Sequence, residues 1–362
     1  MVRRLCYCFV VAVSLLALIV SVSNEARADN PASGKPAIFE SVNRRDEAVW
    51  KVAREIWSLA EPGYQETKSS AILKEMLEGT GFRIESEIGG IPTAFTATVG
   101  SGKPVIGILG EFDALPGLSQ AAVPYREPVK AGGYGHGCGH HLFGAASASA
   151  AIAIGEQIKT GTIKGTVRFY GCPAEEGGSA KVFMAQAGAF KDCDAVLHWH
   201  PGHVNTAGDR STLARMAVKF RFHGKAAHAA AAPEQGRSAL DAVALTNHAA
   251  ELMREHTPDQ SRIHHVITAG GRAPNVTPDF AEVYYYIRHP EGEVVRKLYE
   301  RLVLCAQGGA LATETRLEIR FEGGIREILP NNALSQVTLQ NLREICDLEY
   351  NEAETNFALK LQ

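Results

Sequence analysis

Residues 132–145, Gly-Gly-Tyr-Gly-His-Gly-Cys-Gly-His-His-Leu-Phe-Gly-Ala, place three histidines and one cysteine within six positions. Cys138 and His140 are separated by glycine, which lets the backbone turn so that both side chains point at one ion. Thiolate and imidazole are ligands that suit zinc and related divalent ions. This stretch therefore predicts part of a metal site, whose other ligands must come from elsewhere in the chain.

Two further segments carry ligand types, and each follows an apolar run. Glu175 and Glu176 stand side by side in the first, and His198 and His200 lie in the second. Adjacent carboxylates at the end of a buried strand repel each other unless a cation compensates their charge. One of them could bind a metal while its neighbour acts as a general base toward water. The three segments together indicate one shared metal centre.

The elements that must position these residues alternate between strands and helices. Apolar runs predict buried strands at 104–110, 166–170 and 195–199. The first strand leads into Glu111 and Asp113. Alternation of this kind is typical of an α/β domain, whose sites lie at the carboxyl ends of its strands. Helices are predicted over 44–60, 69–77 and 142–158.

From about residue 212 the pattern changes to the order β-α-β-β-α-β. This order predicts a ferredoxin-like domain inserted into the α/β domain. The predicted strands are 215–222, 264–269, 281–288 and 317–321, and the predicted helices are 238–255 and 292–310. The expected organisation is a signal peptide over 1–28, the first part of an α/β domain over 29–211, the inserted domain over 212–326, and a return to the first domain over 327–362.

The N-terminus predicts export to the periplasm or the outside of the cell. Arg3 and Arg4 precede an apolar stretch, and Ala26-Arg27-Ala28 offers a cleavage site. An uncleaved membrane anchor is the alternative, and cleavage would leave no stable membrane insertion. Five cysteines would remain, so at least one thiol would be unpaired or metal-bound, and Cys138 is the candidate. The net charge of −3 gives no reason to expect a nucleic-acid partner.

The motifs Gly-His-Gly-Cys-Gly-His, Pro-Ala-Glu-Glu-Gly-Gly and Trp-His-Pro, in this order, resemble those of the metal-dependent amidohydrolases and metallopeptidases. That family includes aminoacylases, carboxypeptidase G and indoleacetyl-amino acid hydrolases. The resemblance extends from about Arg44 to the end of the chain. It implies two divalent ions, zinc or manganese, in an α/β catalytic domain, and an inserted lid domain that forms a homodimer. It also implies hydrolysis of the amide in an N-acyl or N-aroyl amino acid.

The resemblance implies roles for individual residues. The metal ligands would be Cys138, His140, Glu176 and His200, with His198 and His203 as weaker candidates, and Glu175 would be the general base. Asp113 and His136 would orient the ligands. His228 would stabilise the oxyanion in the partner subunit's active site, and Asn275 would contact the substrate. A loop cap and a turn residue are the alternative interpretations of His228 and Asn275.

The chain departs from the family pattern at two places. His141 stands where many relatives have aspartate after Cys-Gly-His. Only 32 residues run from Asn331 to the end, and no histidine follows His289. We therefore expect that the family's last metal-binding histidine and much of the returning domain lie outside this sequence, as in a truncated frame or a fragment.

Two other hypotheses remain open. In one, Cys138 is a covalent nucleophile paired with His140 or His136. That hypothesis leaves Glu175 and Glu176 without a role. In the other, the chain is a non-catalytic remnant that still dimerises through its ferredoxin-like domain.

Overall fold

The computed structural model describes residues 34–208, 210–345 and 349–362. Contacts divide the described residues into two compact units, one made of those up to Gly208 and from Asn331 onward, the other of those between them, up to Pro330. The predicted signal peptide, residues 1–28, lies outside the described residues. Of the helices within the described residues, none combines the length and the apolar character that crossing a membrane requires.

The first unit contains a five-stranded sheet formed by β1 (Arg83–Ser86), β2 (Phe95–Ser101), β3 (Val105–Glu111), β4 (Gly165–Cys172) and β5 (Ala195–Leu197). The strands lie in the order β1-β2-β4-β3-β5. β3 runs parallel to β4 and β5, whereas β2 runs antiparallel to β1 and β4. All seven residues of β3 are buried, as the apolar run 104–110 predicted. The sequence did not predict β1 and β2, which carry polar residues and lack a continuous apolar run.

The helices of the first unit are α1 (Lys35–Arg44), α2 (Asp46–Leu59), α3 (Thr67–Glu78), α4 (His140–Lys159), the short α5 (Glu175–Gly178) and α6 (Ala180–Gln186). Most residues of α4 are small or apolar and buried, as expected for a helix covered on all sides. Helices α9 (Asn332–Ile345) and α10 (Glu352–Leu361) follow later in the chain. Leu334 and Val337 of α9 pack against the core of this unit.

Glycine allows α4 to approach β3 closely. A Cβ atom on Gly144 would lie 2.8 Å from the carbonyl oxygen of Glu111, which leaves no room for a side chain. The helix begins at His140, two residues earlier than predicted, after Gly139 in the left-handed region with φ 74°. The first turn of α4 is therefore held beside the end of β3, and His140 is brought to Glu111.

The second unit is formed by β6 (Ala214–His223), α7 (Ala239–Arg254), β7 (Arg262–Ala269), β8 (Phe280–His289), α8 (Gly292–Ala312) and β9 (Arg316–Ile325). Its strands lie in the order β7-β8-β6-β9, and every neighbouring pair is antiparallel. Both helices pack on the sheet around a buried core that includes Phe220, Tyr285 and Leu298. The predicted α/β fold with a ferredoxin-like insertion is confirmed.

Candidate metal centre

His140, the first residue of α4, is completely buried and has a fixed orientation. Its Nδ1 lies 2.9 Å from Asp113 Oδ1, and because a carboxylate accepts, the imidazole donates Nδ1–H. Its Nε2 faces three carboxylates, 3.1 Å from Glu111 and 4.0 Å from Glu175 and Glu176. Burial acts to lower the pKa of His140, but Asp113 and Glu111 outweigh it and raise the pKa. A carboxylate on the far nitrogen is the arrangement that orients a metal-binding histidine.

Asp113, just beyond the end of β3, connects two parts of the centre. Its Oδ1 accepts from His140, and its Oδ2 accepts from the backbone N–H of Glu176 at 3.0 Å. The side chain is buried, so both contacts are protected from water. The Asp113 carboxylate therefore fixes both the orientation of the His140 ring and the position of the turn that contains Glu175 and Glu176.

Glu111 is the last residue of β3 and is almost fully buried. Its Oε1 contacts Lys181 Nζ and lies 3.5 Å from His198 Nε2. Burial acts to raise the pKa of Glu111, but His198 and Lys181 outweigh it and lower the pKa to about 2. This carboxylate is therefore ionised at neutral pH although it is buried.

Glu175 and Glu176 lie in a tight turn after β4. The preceding residue, Ala174, has φ 50°, a left-handed conformation that is uncommon for a residue with a side chain. The side chain of Glu175 is 42% exposed and that of Glu176 is 18% exposed, so Glu175 is the more accessible carboxylate. Burial and the charge of Glu111 raise the pKa of Glu175. A raised pKa suits a group that must accept and release a proton near neutral pH.

Cys138 and His200 complete a group of ligand atoms around His140. One atom from each of these three residues lies within 4.8 Å of the other two. Burial raises the pKa of Cys138 to about 12, and Glu176 and Glu175 act in the same direction. A thiolate at this position therefore needs a compensating cation, and coordination to a metal would supply it.

The donor atoms fit a divalent ion. Within the described residues, Glu111, His140 and Glu175 form a second group with ligand atoms inside 4.8 Å. His140 Nε2 and Glu111 Oε2 are buried, and neither has a hydrogen-bond partner among those residues. Buried polar atoms without partners are costly. A cation between thiol, imidazole and carboxylate would satisfy them.

Comparison with known sequences gives three results. Residues 210–311, within the second unit, match the family model of the peptidase dimerisation domain. The chain is 45% identical over 313 residues to one of the subunits of the p-aminobenzoyl-glutamate hydrolase of Escherichia coli (strain K12), covering 86% of this chain and 65% of that protein. It is 30% identical over 334 residues to the Xaa-Arg dipeptidase of Homo sapiens, covering 84% of this chain and 70% of that protein.

Solved structures share this fold. The Bacillus subtilis YxeP protein, described as a dinuclear metal-binding peptidase of the M20 family, superimposes with a TM-score of 0.57 at 20% identity, over 83% of this chain and 80% of that one. The chain belongs to the M20 family. The aminobenzoyl-glutamate utilization protein of Klebsiella pneumoniae gives a TM-score of 0.67 at 18% identity, over 90% and 96% of the two chains. The M20 chain described here spans about two thirds of the length of its curated relatives, 65% for the Escherichia coli protein.

In this M20 chain, His228 and Asn275 lie on two exposed loops of the second unit. The carbonyl oxygen of Asn275 accepts from Ala229 N–H at 3.0 Å, which ties the loops together. His228 Nδ1 accepts from the N–H groups of Ala230 and Ala231, both at 3.2 Å. The ring hydrogen of neutral His228 is therefore on Nε2, from which it can donate.

His136, which is buried, and His141, which is half-buried, lie against each other. His136 Nε2 lies 3.1 Å from Ile56 O, and the two imidazole rings are 5.1 Å apart. Burial lowers the pKa of His136 to about 4 and that of His141 to about 3. Both are therefore neutral at physiological pH. Within the described residues, neither they nor His198 and His203 belong to a ligand group.

The sequence analysis did not identify Lys181 and Glu66 as parts of the centre. Lys181 lies five residues after Glu176, on the apolar helix α6. A charged residue within such an apolar helix is the sequence signal that could have indicated Lys181. Glu66 is fully buried, and its Oε1 accepts from Ala174 N–H at 2.8 Å while Oε2 accepts from Thr93 Oγ1 at 3.1 Å. It thereby supports the strained residue that precedes Glu175.

Glu66 is expected to make folding stability depend on pH. Burial raises the pKa of Glu66 from 4.5 to about 7, so the folded state favours the protonated carboxyl. Its contribution to the free energy of unfolding is present in full below pH 4.5 and is lost as the pH rises through about 7. We expect Glu66 to lower the free energy of unfolding by up to about 3 kcal/mol over this pH range. Glu66→Gln should remove this pH dependence.

Urea unfolding of wild type and Glu66→Gln across this pH range measures the difference in slope. Glu85→Gln, a change at an exposed position on β1, is the matched control and should keep the wild-type slope. An unchanged slope in Glu66→Gln would show that Glu66 is not the responsible group.

Proposed function

We propose that this protein is a metal-dependent hydrolase that cleaves the amide bond between an acyl or aroyl group and an amino acid. The observation that carries the proposal is His140 Nε2, which is buried, has no hydrogen-bond partner among the described residues and belongs to both ligand groups. A divalent ion placed there would lie beside Glu175, the more exposed of the two adjacent carboxylates.

The relatives support the substrate class. The Escherichia coli relative is named for hydrolysis of p-aminobenzoyl-glutamate, an N-aroyl amino acid, and the human relative is named a dipeptidase. Both names describe cleavage of an amide next to an amino acid. We propose N-aroyl amino acids of the aminobenzoyl-glutamate type as the substrates.

Cys138, His140, Glu176 and His200 would hold two divalent ions, zinc or manganese. Bound ions of this kind supply Lewis acidity, which lowers the pKa of water and polarises the amide carbonyl. Asp113 holds His140 with Nε2 toward the ion, and through the Glu176 N–H it also holds the turn that carries both glutamates. The chain therefore fixes the ligands before the substrate arrives.

Glu175 would move the proton. Its carboxylate accepts a proton from the attacking water and then passes it to the nitrogen of the leaving amine. Burial and the charge of Glu111 raise its pKa, which brings the group closer to the pH at which both transfers are favourable. The exposure of its side chain leaves it accessible to water and substrate.

His228 would act on the substrate in the partner subunit's active site, and Asn275 would contact the substrate. Because the His228 ring hydrogen is on Nε2, this group can donate to the oxygen that becomes negatively charged in the tetrahedral transition state. Asn275 carries an exposed amide that can both donate to and accept from a substrate.

The surroundings of Cys138 disfavour a cysteine nucleophile. Such a residue needs a lowered pKa so that the thiolate is available. Burial, Glu176 and Glu175 instead raise the pKa of Cys138 to about 12. These surroundings suit a metal ligand better than a nucleophile.

Removing the ions is expected to abolish hydrolysis of p-aminobenzoyl-glutamate, because the Lewis acid is lost. Adding zinc or manganese back should restore it, measured as release of p-aminobenzoate. Circular dichroism before and after chelation controls for unfolding. Full activity in protein shown by elemental analysis to be metal-free would overturn the proposal. Metal binding without turnover would favour the non-catalytic remnant.

We also propose that the chain forms a homodimer through its second unit. Leu245 and Leu252 on α7, and Leu304 and Leu311 on α8, are between 43% and 83% exposed. In each helix the two leucines are seven residues apart, which places them on one face. A second copy of this chain would bury these side chains, as the match to a peptidase dimerisation domain supports.

Charging this surface is expected to separate the dimer. The double variant Leu304→Glu/Leu311→Glu should sediment as a monomer, because dimerisation would desolvate two carboxylates without partners. Val129→Glu, at a residue of the first unit that is 74% exposed, is the control and should leave the dimer intact. A double variant that keeps the wild-type mass would place the interface elsewhere.

A further inference from the structure

Glu111 is a buried carboxylate whose two oxygens have different surroundings. Oε1 contacts Lys181 Nζ and lies near His198 Nε2. Oε2 has no hydrogen-bond partner within the described part of the chain and lies 3.1 Å from His140 Nε2. The side chain is 1% exposed, so bulk water does not solvate Oε2.

The separation of 3.1 Å is the one expected for two ligands of the same ion. Nitrogen and oxygen ligands lie about 2.0–2.2 Å from zinc, so two of them at right or tetrahedral angles are about 2.8–3.6 Å apart. His140 gives its ring hydrogen to Asp113 on the opposite nitrogen. In the neutral imidazole, Nε2 and Oε2 therefore present lone pairs to each other, an arrangement that a cation between them stabilises.

We propose that Glu111 is itself a metal ligand, which binds through Oε2 the ion that His140 Nε2 binds. Lys181 holds Oε1, so the carboxylate coordinates through one oxygen and its second oxygen stays paired. The inference rests on the metal centre of the proposed function and adds a ligand to it. It also explains why a carboxylate stands at the end of a fully buried strand.

A purely structural ion pair between Glu111 and Lys181 is the competing explanation. It accounts for Oε1 but leaves Oε2, among the described residues, facing His140 Nε2 at 3.1 Å, a pair that is satisfied without a metal ion only when the imidazole is protonated. The two explanations differ in the effect of removing both charges. If Glu111 and Lys181 form only a structural ion pair, replacing both with neutral residues should leave metal affinity unchanged. If Glu111 is a metal ligand, the double variant still lacks that ligand and binds metal more weakly.

The test is isothermal titration of the full chain with Mn²⁺ after removal of bound metal. Wild type is compared with Glu111→Gln, Lys181→Met and the double variant Glu111→Gln/Lys181→Met, with Glu85→Gln as the exposed control. Circular dichroism and thermal unfolding of the metal-free proteins show which variants fold. The double variant is included because Glu111→Gln alone leaves Lys181 without its partner.

We expect Glu111→Gln and the double variant to bind Mn²⁺ at least about tenfold more weakly than wild type, a loss as large as that seen when a ligand's support is removed. Glu85→Gln should bind within a few-fold of wild type, and Lys181→Met, which keeps the ligand but loses its support, should bind more tightly than Glu111→Gln. A double variant that folds and binds as tightly as wild type would overturn the role of Glu111 while leaving the metal centre intact. Wild-type protein that binds no Mn²⁺ or Zn²⁺ would overturn the metal centre itself, and Glu111 as its ligand with it.

Discussion

Replacing Glu175 with glutamine is expected to lower kcat for hydrolysis of p-aminobenzoyl-glutamate by about 10²–10⁴-fold. Glutamine keeps the size of the side chain but cannot accept a proton from water. The more exposed carboxylate has the raised pKa, which is why the proton transfer is assigned to Glu175 and the ligand role to Glu176. The measurement is steady-state kinetics together with metal content, which should stay at the wild-type level.

Glu176→Gln is the matched variant for this experiment, because it makes the same change at the adjacent residue. We expect it to lose metal as well as activity, whereas Glu175→Gln should lose activity alone. The reverse result, with metal lost from Glu175→Gln and kept in Glu176→Gln, would exchange the two roles. Activity of Glu175→Gln within a few-fold of wild type would exclude Glu175 as the base.

Asp113→Asn is expected to weaken divalent metal binding by about 10–100-fold without unfolding the chain. Asp113 accepts two hydrogen bonds, one from His140 Nδ1–H and one from Glu176 N–H. Asparagine has a single acceptor oxygen, so its NH₂ group must face one of these two donors. Either the imidazole loses its orientation or the glutamate turn loses its anchor, and both changes move a ligand.

Titration of metal-free Asp113→Asn with Zn²⁺ or Mn²⁺ measures this loss. Asp259→Asn, an exposed position in the second unit, is the control for a change of one charge. Metal affinity equal to wild type in Asp113→Asn would show that His140 keeps its orientation without the carboxylate.

Much of the fold could be predicted because its elements have strong local patterns. The apolar run 104–110 and the small apolar residues of 142–158 gave β3 and α4 with errors of one or two residues. The ferredoxin-like unit was predicted completely, since each of its elements alternates or repeats at its own period. β2 was missed because it pairs with β4, which lies far along the chain, and β1 was missed because its four residues are mostly exposed and form no apolar pattern.

The ligand types were visible in the sequence for a different reason. Cys138 and His140 are separated by one glycine, and Glu175 and Glu176 are adjacent, so the chemistry of each segment is local. The structure brings ligand atoms of Cys138, His140 and His200 within 4.8 Å of one another. Their roles in metal binding and catalysis remain proposals for the experiments above.

The sequence by itself determined most of the elements, the fold class and the residue types that suit a metal centre, because these follow from composition and short spacing. Only the tertiary structure decided how the centre is supported. Glu111 meets Lys181 across 70 residues of chain, and Glu66 reaches Ala174 N–H across 108. The packing of α4 on β3 and the turn after β4 bring these partners into contact. No local sequence pattern encodes a contact between segments that far apart.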